Sequence, residues 1–468
     1  MKNMNRPLLG PSIKTLLLSV LIGAAVPDLS AAKPNFIVIF TDDQGYNDLS
    51  CFGSTKIKTP HLDRLAKEGR KLTSFYVASP VCTPSRAALL TGCYPKRIGM
   101  ENHVIFPKDN HGMHQDEVTI ADMLKDAGYA TACVGKWHLG HRKPFLPTSQ
   151  GFDSYYGIPY SNDMNHPDNK DKPSYWGPGP SDKLWLDQKS AVTKWKTPLM
   201  KDEEIVELPV DQQTITRRYT DKAIEFVTAN KEKPFFLYLA HSMPHVPLYV
   251  PDDVLDKDPK NAYTNTIEHI DAECGRLFKA VKDLGLSDNT YIIFTTDNGP
   301  WLVFKHHGGS ALPLRDGKGT TYEGGQRVPF IIKGPGVKAG TSSDGIATTM
   351  DLLPSIAKLA SIEPKTRGPI DGMDITGLLM SEDKSPRNEF LFYNSRGGIH
   401  GFRQGDWKYR FAGHRKSVFE LYNLAEDIGE KTNLAEKHPD KVEALTKRMK
   451  ELNAEIAKGV RPRGQWQN

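Results

Sequence analysis

Four short apolar runs constrain the fold of this chain more than any other feature of its sequence. They occupy residues 36–40, 129–134, 235–240 and 291–296. Each run is apolar at almost every position, which is typical of a strand covered on both faces. Segments with apolar residues at helical spacing lie between the runs. Strands that alternate with helices in this way favour a parallel sheet with crossover helices.

Two of the intervening segments carry clear helix patterns. Thr119 is a suitable N-cap for a helix that stops at Gly128, and residues 265–284 repeat apolar side chains every three or four positions. We therefore predict an α/β fold with a large, mostly parallel central sheet flanked by helices. Residues 160–215 are different, because they are polar and show little periodicity. We interpret them as a long excursion on the binding face, with some local helix.

The pattern changes near residue 385. Four short strand-like segments follow, and Gly405 and Asp406 mark a hairpin turn between the second and the third. Residues 439–457 then place apolar side chains on one face of an amphipathic helix. The sequence thus predicts a main, catalytic domain over residues 33–385. It also predicts a small C-terminal α+β subdomain over residues 386–468, with a short antiparallel sheet and a terminal helix.

The first 32 residues have the composition of a signal peptide. A basic start precedes an apolar run over residues 16–26, and small residues at 30–32 suit cleavage. The run is shorter than the roughly 20 residues that a membrane span needs. We expect an exported protein, periplasmic or secreted, with no stable membrane insertion after cleavage; an uncleaved N-terminal anchor is the alternative. The formal net charge of +5 falls to +3 without residues 1–32, which is too small to indicate a nucleic-acid partner.

Polar side chains follow each of the four predicted strands. They are Asp42 with Asp43, Lys136 with His138, His241 with His245, and Asp297 with Asn298. Each pair alone is also compatible with a turn or a helix cap. Ligands of open parallel sheets bind beyond the carboxyl ends of the strands, so we expect these groups to meet at one rim. Asp42, Asp43, Asp297 and Asn298 offer only oxygen, which Ca²⁺ and Mg²⁺ prefer and zinc does not.

The segment Cys82-Thr83-Pro84-Ser85-Arg86 begins a further predicted helix. Pro84 suits the first helical turn, which places Cys82 just outside the N-terminus, where backbone amides favour negative charge. Arg86 lies one turn later and can reach back over Cys82. A structural cysteine beside a surface arginine fits this pattern. So does a thiolate nucleophile with a lowered pKa.

This segment, continued by Ala-Ala-Leu-Leu-Thr-Gly, resembles the signature of the type I, formylglycine-dependent sulfatases. That family belongs to the alkaline-phosphatase-like superfamily and includes arylsulfatases and N-acetylgalactosamine-6-sulfatases. Further segments resemble family motifs in the family's order, over nearly the whole mature chain. They are residues 42–45, 135–140, 296–299, 317–325 and 421–430. The resemblance implies an alkaline-phosphatase-like fold.

The resemblance also implies a chemistry. Cys82 would be oxidised to formylglycine by a maturation enzyme, and the hydrated aldehyde would attack sulfur through one hydroxyl while the alcohol leaves from the opposite side. The second hydroxyl would then expel sulfate and regenerate the aldehyde. The cysteine count is odd, and a modified Cys82 would account for the odd residue. One calcium ion would be bound by the four oxygen ligands.

The remaining catalytic roles follow from the same resemblance. Arg86 would orient the nucleophile, and Lys136 and Lys318 would stabilise charge on the sulfate. His138 would be the partner of the second hydroxyl. His245 would protonate the leaving oxygen, alone or together with Lys318.

The substrate is expected to be a sulfated glycan, because the excursion is rich in residues that suit sugar rings and hydroxyls. Candidate substrate-binding residues are His241, Asp163, His166, Arg396 and His400. His241 has an alternative interpretation as a structural neighbour of His245. His306 and His307 either touch substrate or are solvated. A formylglycine-dependent phosphodiester or phosphonate hydrolase, or a non-catalytic glycan-binding homologue, are the alternative functions.

Overall fold

The computed structural model describes residues 33–166, 177–412 and 418–467. The predicted signal peptide therefore lies outside the described residues. Within the described ranges, no helix combines the length and apolar character needed to cross a membrane.

The strands of the described chain are β1 (Asn35–Thr41), β2 (Arg70–Tyr76), β3 (His111–Gly112), β4 (Ala130–Gly135), β5 (Ser154–Gly157), β6 (Leu199–Lys201), β7 (Glu204–Glu207), β8 (Phe235–Ala240), β9 (Thr290–Thr296), β10 (Arg327–Lys333), β11 (Thr341–Ser343), β12 (Ala347–Thr348), β13 (Glu389–Tyr393), β14 (Ile399–Gln404), β15 (Trp407–Ala412), β16 (Val418–Asn423) and β17 (Gly464–Gln465). The α-helices are α1 (Pro60–Glu68), α2 (Cys82–Thr91), α3 (Ile120–Asp126), α4 (Pro178–Leu186), α5 (Gln188–Val192), α6 (Ile215–Ala229), α7 (Ala262–Asp283), α8 (Glu323–Gln326), α9 (Leu352–Leu359), α10 (Thr376–Met380) and α11 (Pro439–Lys458).

The four apolar runs form adjacent parallel strands at the centre of an 11-stranded sheet. Their order is β9-β1-β8-β4, and every pair among these neighbours is parallel. Successive residues of β1 enter different cores: Ile37 and Ile39 pack on one face, and Phe36, Val38 and Phe40 on the other. The prediction of a central sheet covered on both faces is confirmed. Because the four strands are parallel, their carboxyl ends meet at one edge.

The sheet is mixed beyond this centre. β10 pairs antiparallel with both β9 and β2, and β6 and β7 extend the other side as an antiparallel pair. The excursion contains α4, α5, β6 and β7 between residues 178 and 207, so it has more regular structure than its sequence indicates. These short elements could not be predicted from apolar periodicity, because each contributes only a few buried side chains.

The C-terminal region forms a separate four-stranded antiparallel sheet in the order β13-β14-β15-β16. Gly405 has a φ of 56° in the β14–β15 turn, a conformation that favours glycine. Leu445, Met449 and Ile456 of α11 are buried in a cluster with side chains of this sheet and with Tyr76. The predicted sheet and terminal helix are confirmed, whereas the domain boundary at residue 385 stays a prediction.

All five cysteines are unpaired in the structure. The odd number of cysteines therefore does not support a modified Cys82. None of the other four cysteines forms a disulfide, so Cys82 is not the one residue left without a partner. The argument for this residue depends on its surroundings instead.

Candidate active site

The acidic residues that follow β1 and β9 come together at the carboxyl edge of the sheet. The Asp43 backbone N–H donates to Asp297 Oδ1 at 3.1 Å, and Asn298 Nδ2 donates to Asp43 Oδ1 at 2.7 Å. Asp42, Asp43, Asp297 and Asn298 are all buried. The four predicted oxygen ligands thus lie in one contiguous cluster, as their positions after neighbouring parallel strands require.

This cluster fits a hard divalent cation. The amide oxygen of Asn298 is buried and has no hydrogen-bond partner among the described residues, while its Nδ2 is fixed by Asp43 and the Gly299 carbonyl. Carboxylate and amide oxygens are the ligands that Ca²⁺ uses. Burial and the nearby charge of Asp42 raise the pKa of Asp297 to about 7. A bound cation would oppose that shift, because it favours the ionised carboxylate.

Cys82 is the first residue of α2, one position further into the helix than predicted. The Ser85 N–H donates to the Val81 carbonyl at 3.3 Å, and this bond draws residue 82 into the first turn. Cys82 Sγ lies 3.4 Å from Asp42 Oδ1 and 3.8 Å from Lys318 Nζ. Its side chain therefore contacts the oxygen cluster directly.

The thiol of Cys82 is not activated as a thiolate. Burial raises its pKa well above the usual value, and the charges of Asp297 and Asp42 add to that effect. The expectation of a lowered pKa at the helix N-terminus is wrong for this constellation, because desolvation and two carboxylates outweigh the helix dipole.

Arg86 contacts the acidic cluster. Its Nη2 lies 2.8 Å from Asp297 Oδ2 and 3.6 Å from Asp42 Oδ2, and its Nη1 donates to the Lys136 carbonyl. The guanidinium is fully buried. It thus links Asp42 after β1 and Asp297 after β9 to the segment that follows β4.

Lys136 and His138 line the same site from the β4 side. Lys136 Nζ donates to Asp42 Oδ2 at 2.5 Å and to Ser161 Oγ at 3.2 Å. His138 Nε2 lies 3.0 Å from the Ile105 carbonyl, and burial together with Lys136 lowers the pKa of this imidazole well below its usual value. The pair therefore brings one cation and one neutral imidazole to the rim.

Lys318 and His245 complete the site from the opposite side. Lys318 Nζ donates to Asp43 Oδ2 at 2.7 Å and lies 4.2 Å from the centre of the Trp301 ring. His245 Nε2 lies 3.6 Å from the same Asp43 oxygen, and its ring centre is 5.4 Å from that of Trp301. Burial and the charge of Lys318 lower the pKa of His245. Asp43, His245 and Lys318 therefore lie close to Cys82, and Trp301 lines the same cavity.

A model of the Sulfatase family matches residues 34–362, well over half of the chain. The chain belongs to the sulfatase family. The arylsulfatase A of Homo sapiens is 36% identical over an alignment of 479 positions that covers 96% of this chain and 92% of that protein. The N-acetylgalactosamine-6-sulfatase of Mus musculus is 34% identical over 392 residues, covering 80% of this chain and 70% of that protein. The sulfatase is thus a sulfuric ester hydrolase.

The fold has close counterparts among solved structures. Ps i-CgsB, in complex with k-i-k-neocarrahexaose, matches this sulfatase with a TM-score of 0.77 and 30% identity. The match covers 90% of this chain and 92% of that chain. This agreement extends beyond the family-model region into the C-terminal sheet, and the predicted fold class is confirmed.

A cavity of about 840 Å³ opens at the candidate active site of the sulfatase. Four of its lining residues, here called the floor, are Cys82, His138, His245 and Lys318. Of the predicted substrate-binding residues, Asp163 and His166 also line it. The volume is within the usual range for ligand pockets. Predicted catalytic groups and part of the predicted recognition surface therefore share one cavity.

The other predicted substrate-binding residues lie elsewhere. His241 is fully buried beside Tyr219, with a ring distance of 6.4 Å, and His400 packs against Phe411 at 5.1 Å. Neither lines the cavity, and the position of His241 favours its structural interpretation. Arg396 is exposed and follows Ser395, which lines the cavity. A substrate contact by Arg396 or His400 stays a prediction.

Several cavity residues were missed from the sequence. They are His103, Phe106, Lys108, Trp195 and Trp301. His103 has a φ of 60°, and the first three belong to a loop without periodicity, so no pattern pointed to them. The abundance of tryptophan in the excursion was the one available signal, and it applies to Trp195. His306 and His307 do not line the cavity; both contact Asp182.

Proposed function

We propose that this sulfatase hydrolyses sulfate esters of a carbohydrate with a formylglycine made from Cys82 and one bound Ca²⁺. The observation that carries the proposal is the position of Cys82. Its sulfur lies at the cavity floor, within 4 Å of both an acidic ligand candidate and the Lys318 ammonium. A nucleophile there meets an anionic ester between cationic groups.

The chain's own residues divide the work around the reacting sulfur. Arg86 and Lys136 fix the carboxylates below the nucleophile, and Lys318 supplies a cation beside it. His245 lies on the Lys318 side and is our candidate for protonating the leaving oxygen. His138 lines the floor and is our candidate partner for the second hydroxyl of residue 82.

Asp42, Asp43, Asp297 and Asn298 are proposed to bind the calcium ion. When bound, the ion would stabilise negative charge on the sulfate oxygens. The buried amide oxygen of Asn298 supports this assignment, because without a ligand it lacks a partner among the described residues.

Burial restricts when the modification occurs. Cys82 is 1% exposed and every residue of α2 is buried. A maturation enzyme must therefore reach the Cys-Thr-Pro-Ser-Arg segment before the chain has folded around it. Together with the signal-peptide composition of residues 1–32, this supports modification before or during export to the periplasm or the exterior.

Carbohydrate as the substrate class is supported by the cavity and by a relative. Ps i-CgsB was solved with an oligosaccharide, k-i-k-neocarrahexaose. In this chain Trp195, Trp301 and Phe106 line the cavity together with polar residues such as Asp163 and Asn165. Flat rings suit the faces of sugars, and the polar groups suit their hydroxyls.

The test is sulfate release from a panel of sulfated galactans, glycosaminoglycans and small aryl sulfates. Phosphodiesters and phosphonate monoesters are included for the alternative hydrolase. We expect release from at least one sulfated glycan by the wild-type enzyme and none by Cys82→Ala, with unchanged folding. Turnover by purified Cys82→Ala would refute the mechanism. Preference for phosphorus esters would refute the substrate class, and glycan binding without turnover would favour the non-catalytic alternative.

A further inference from the structure

A second cluster of metal-ligating side chains lies outside the catalytic cavity. Asp182 of α4 contacts two consecutive histidines of the segment Leu302–His307, which is a short 3-10 helix interrupted by a kink. His306 Nε2 lies 2.6 Å and His307 Nε2 lies 2.8 Å from the same oxygen, Asp182 Oδ1. Two imidazole nitrogens and a carboxylate oxygen thus converge from two separate elements.

The convergence depends on an unusual backbone conformation. Lys305 has a φ of 53°, in the left-handed region that a lysine rarely adopts. Consecutive side chains of a regular helix or strand project in different directions, whereas this kink precedes two that meet at one point. Such conformations are kept where the surrounding structure or function requires them.

Both elements are held in place by packing. Trp185 of α4 is buried and donates to the Asp256 carbonyl at 2.8 Å. Phe304 is fully buried, and its ring packs edge-on against Trp301 at 4.9 Å. The His307 side chain is 1% exposed, whereas those of His306 and Asp182 are about a third exposed. The three ligands are therefore preorganised, with an open side towards solvent.

We propose that Asp182, His306 and His307 bind a divalent transition-metal ion of the zinc class. Two neutral imidazoles and one carboxylate form a donor set that suits zinc and its neighbours, unlike the all-oxygen cluster of the catalytic site. The partly exposed side leaves a position for water. In the metal-free form, Nε2–H groups donate to the carboxylate, and the metal takes the place of these protons.

The position of the site gives it a consequence for the cavity. The proposed metal site connects α4, which belongs to the excursion, with the segment that directly follows Trp301. The Trp301 ring lies 4.2 Å from Lys318 Nζ and packs near His245. Metal binding would hold this aromatic wall of the cavity in place.

Equilibrium dialysis against Zn²⁺, with Ca²⁺ in excess, tests the proposal on the full mature protein. We expect the wild-type protein to retain one more zinc per chain than Asp182→Asn, and His306→Gln to bind it at least about tenfold more weakly. Both changed residues are partly exposed, so folding should be preserved, and circular dichroism checks this. His114→Gln is the matched control, because His114 also lies near an aspartate, Asp116 at 3.6 Å.

Co²⁺ provides an independent readout. Bound to the wild-type protein it should show visible absorption that is lost in Asp182→Asn and kept in His114→Gln. Zinc should likewise raise the melting temperature of the wild-type protein and leave that of Asp182→Asn unchanged. Equal zinc content in all variants, or no zinc retained by the wild type, would overturn the proposal and leave a hydrogen-bonded cluster only. Neither readout depends on sulfate release, so the result is separate from the proposed function.

Discussion

At the scale of single residues, the acidic cluster of the candidate active site is a set of matched charges in a buried environment. Each acid of the cluster has a basic partner: Asp42 with Lys136 at 2.5 Å, Asp43 with Lys318 at 2.7 Å, and Asp297 with Arg86 at 2.8 Å. Buried charges need such partners, because desolvation is costly. Because the three acids are neutralised, a bound divalent cation would give the site a net positive charge. A positive site attracts an anionic sulfate ester.

The metal assignment predicts a calcium-dependent enzyme. Chelation should abolish turnover, and Ca²⁺ should restore it better than Zn²⁺, because the ligands are all oxygen. Asn298→Ala should raise the Ca²⁺ concentration needed for half-maximal activity at least about tenfold, since it removes a ligand.

Asn453→Ala, on α11, is the matched control and should leave the calcium requirement unchanged. Calcium titrations of sulfate release on metal-stripped protein provide the measurement. Full turnover by the stripped enzyme would show that the assignment is wrong.

At the scale of elements, the sequence predicted those parts of the site that follow regular strands. β1, β4 and β9 are fixed by their apolar runs, so the positions of Asp42, Lys136 and Asp297 followed from where each strand ends. The N-terminus of α3 was also predictable, because Thr119 and Asp122 form a capping box. The cavity walls were not, because loops are shaped by long-range contacts that leave no local period.

The loops around the cavity contain the residues that we expect to distinguish one substrate from another. Asp163→Ala, His166→Ala and Arg396→Ala should each lower kcat/KM on the native glycan at least about tenfold, roughly 1.4 kcal/mol. When one of these side chains is removed, the sugar hydroxyl that it would hydrogen-bond is left without a partner in the bound substrate. Activity on a small aryl sulfate should change little, because that substrate has no sugar to contact.

His438→Ala is the control for this series, because its ring packs on Trp407 and it is not among the residues that line the cavity. Kinetics on both substrates give the comparison. Equal losses of kcat/KM on the glycan and the aryl sulfate would mean that these residues stabilise the fold or the candidate active site and do not bind the sugar.

At the scale of the whole molecule, a buried ion cluster joins the C-terminal sheet to the catalytic region. Lys408 of β15 contacts Glu323 of α8 at 2.9 Å and Glu430 at 2.8 Å, and all three side chains are fully buried. Although burial opposes ionisation, the charge of Lys408 helps to lower the pKa of Glu323 to about 2. Glu323 and Glu430 lie in the sequence motifs at 317–325 and 421–430, but their common contact with Lys408 could not be predicted, because it depends on the tertiary fold.

Removing this lysine should destabilise the whole protein. Lys408→Met leaves buried Glu430 without its cation and Glu323 with Arg327 at 3.2 Å, and it should cost about 3–5 kcal/mol of unfolding free energy. Lys437→Met, at an exposed position of the same region, should have little effect. Urea denaturation measures both, and equal midpoints for the two variants would contradict the structural role of the cluster.

The chemical state of residue 82 tests the central claim most directly. Active protein, produced with a formylglycine-generating enzyme, is digested with trypsin, and the peptide of residues 72–86 is analysed by mass spectrometry. We predict that the peptide carries an aldehyde that reacts with a hydrazide probe, and that sulfate release rises in proportion to its aldehyde fraction. A fully active preparation whose peptide carries only an unmodified cysteine would contradict the account.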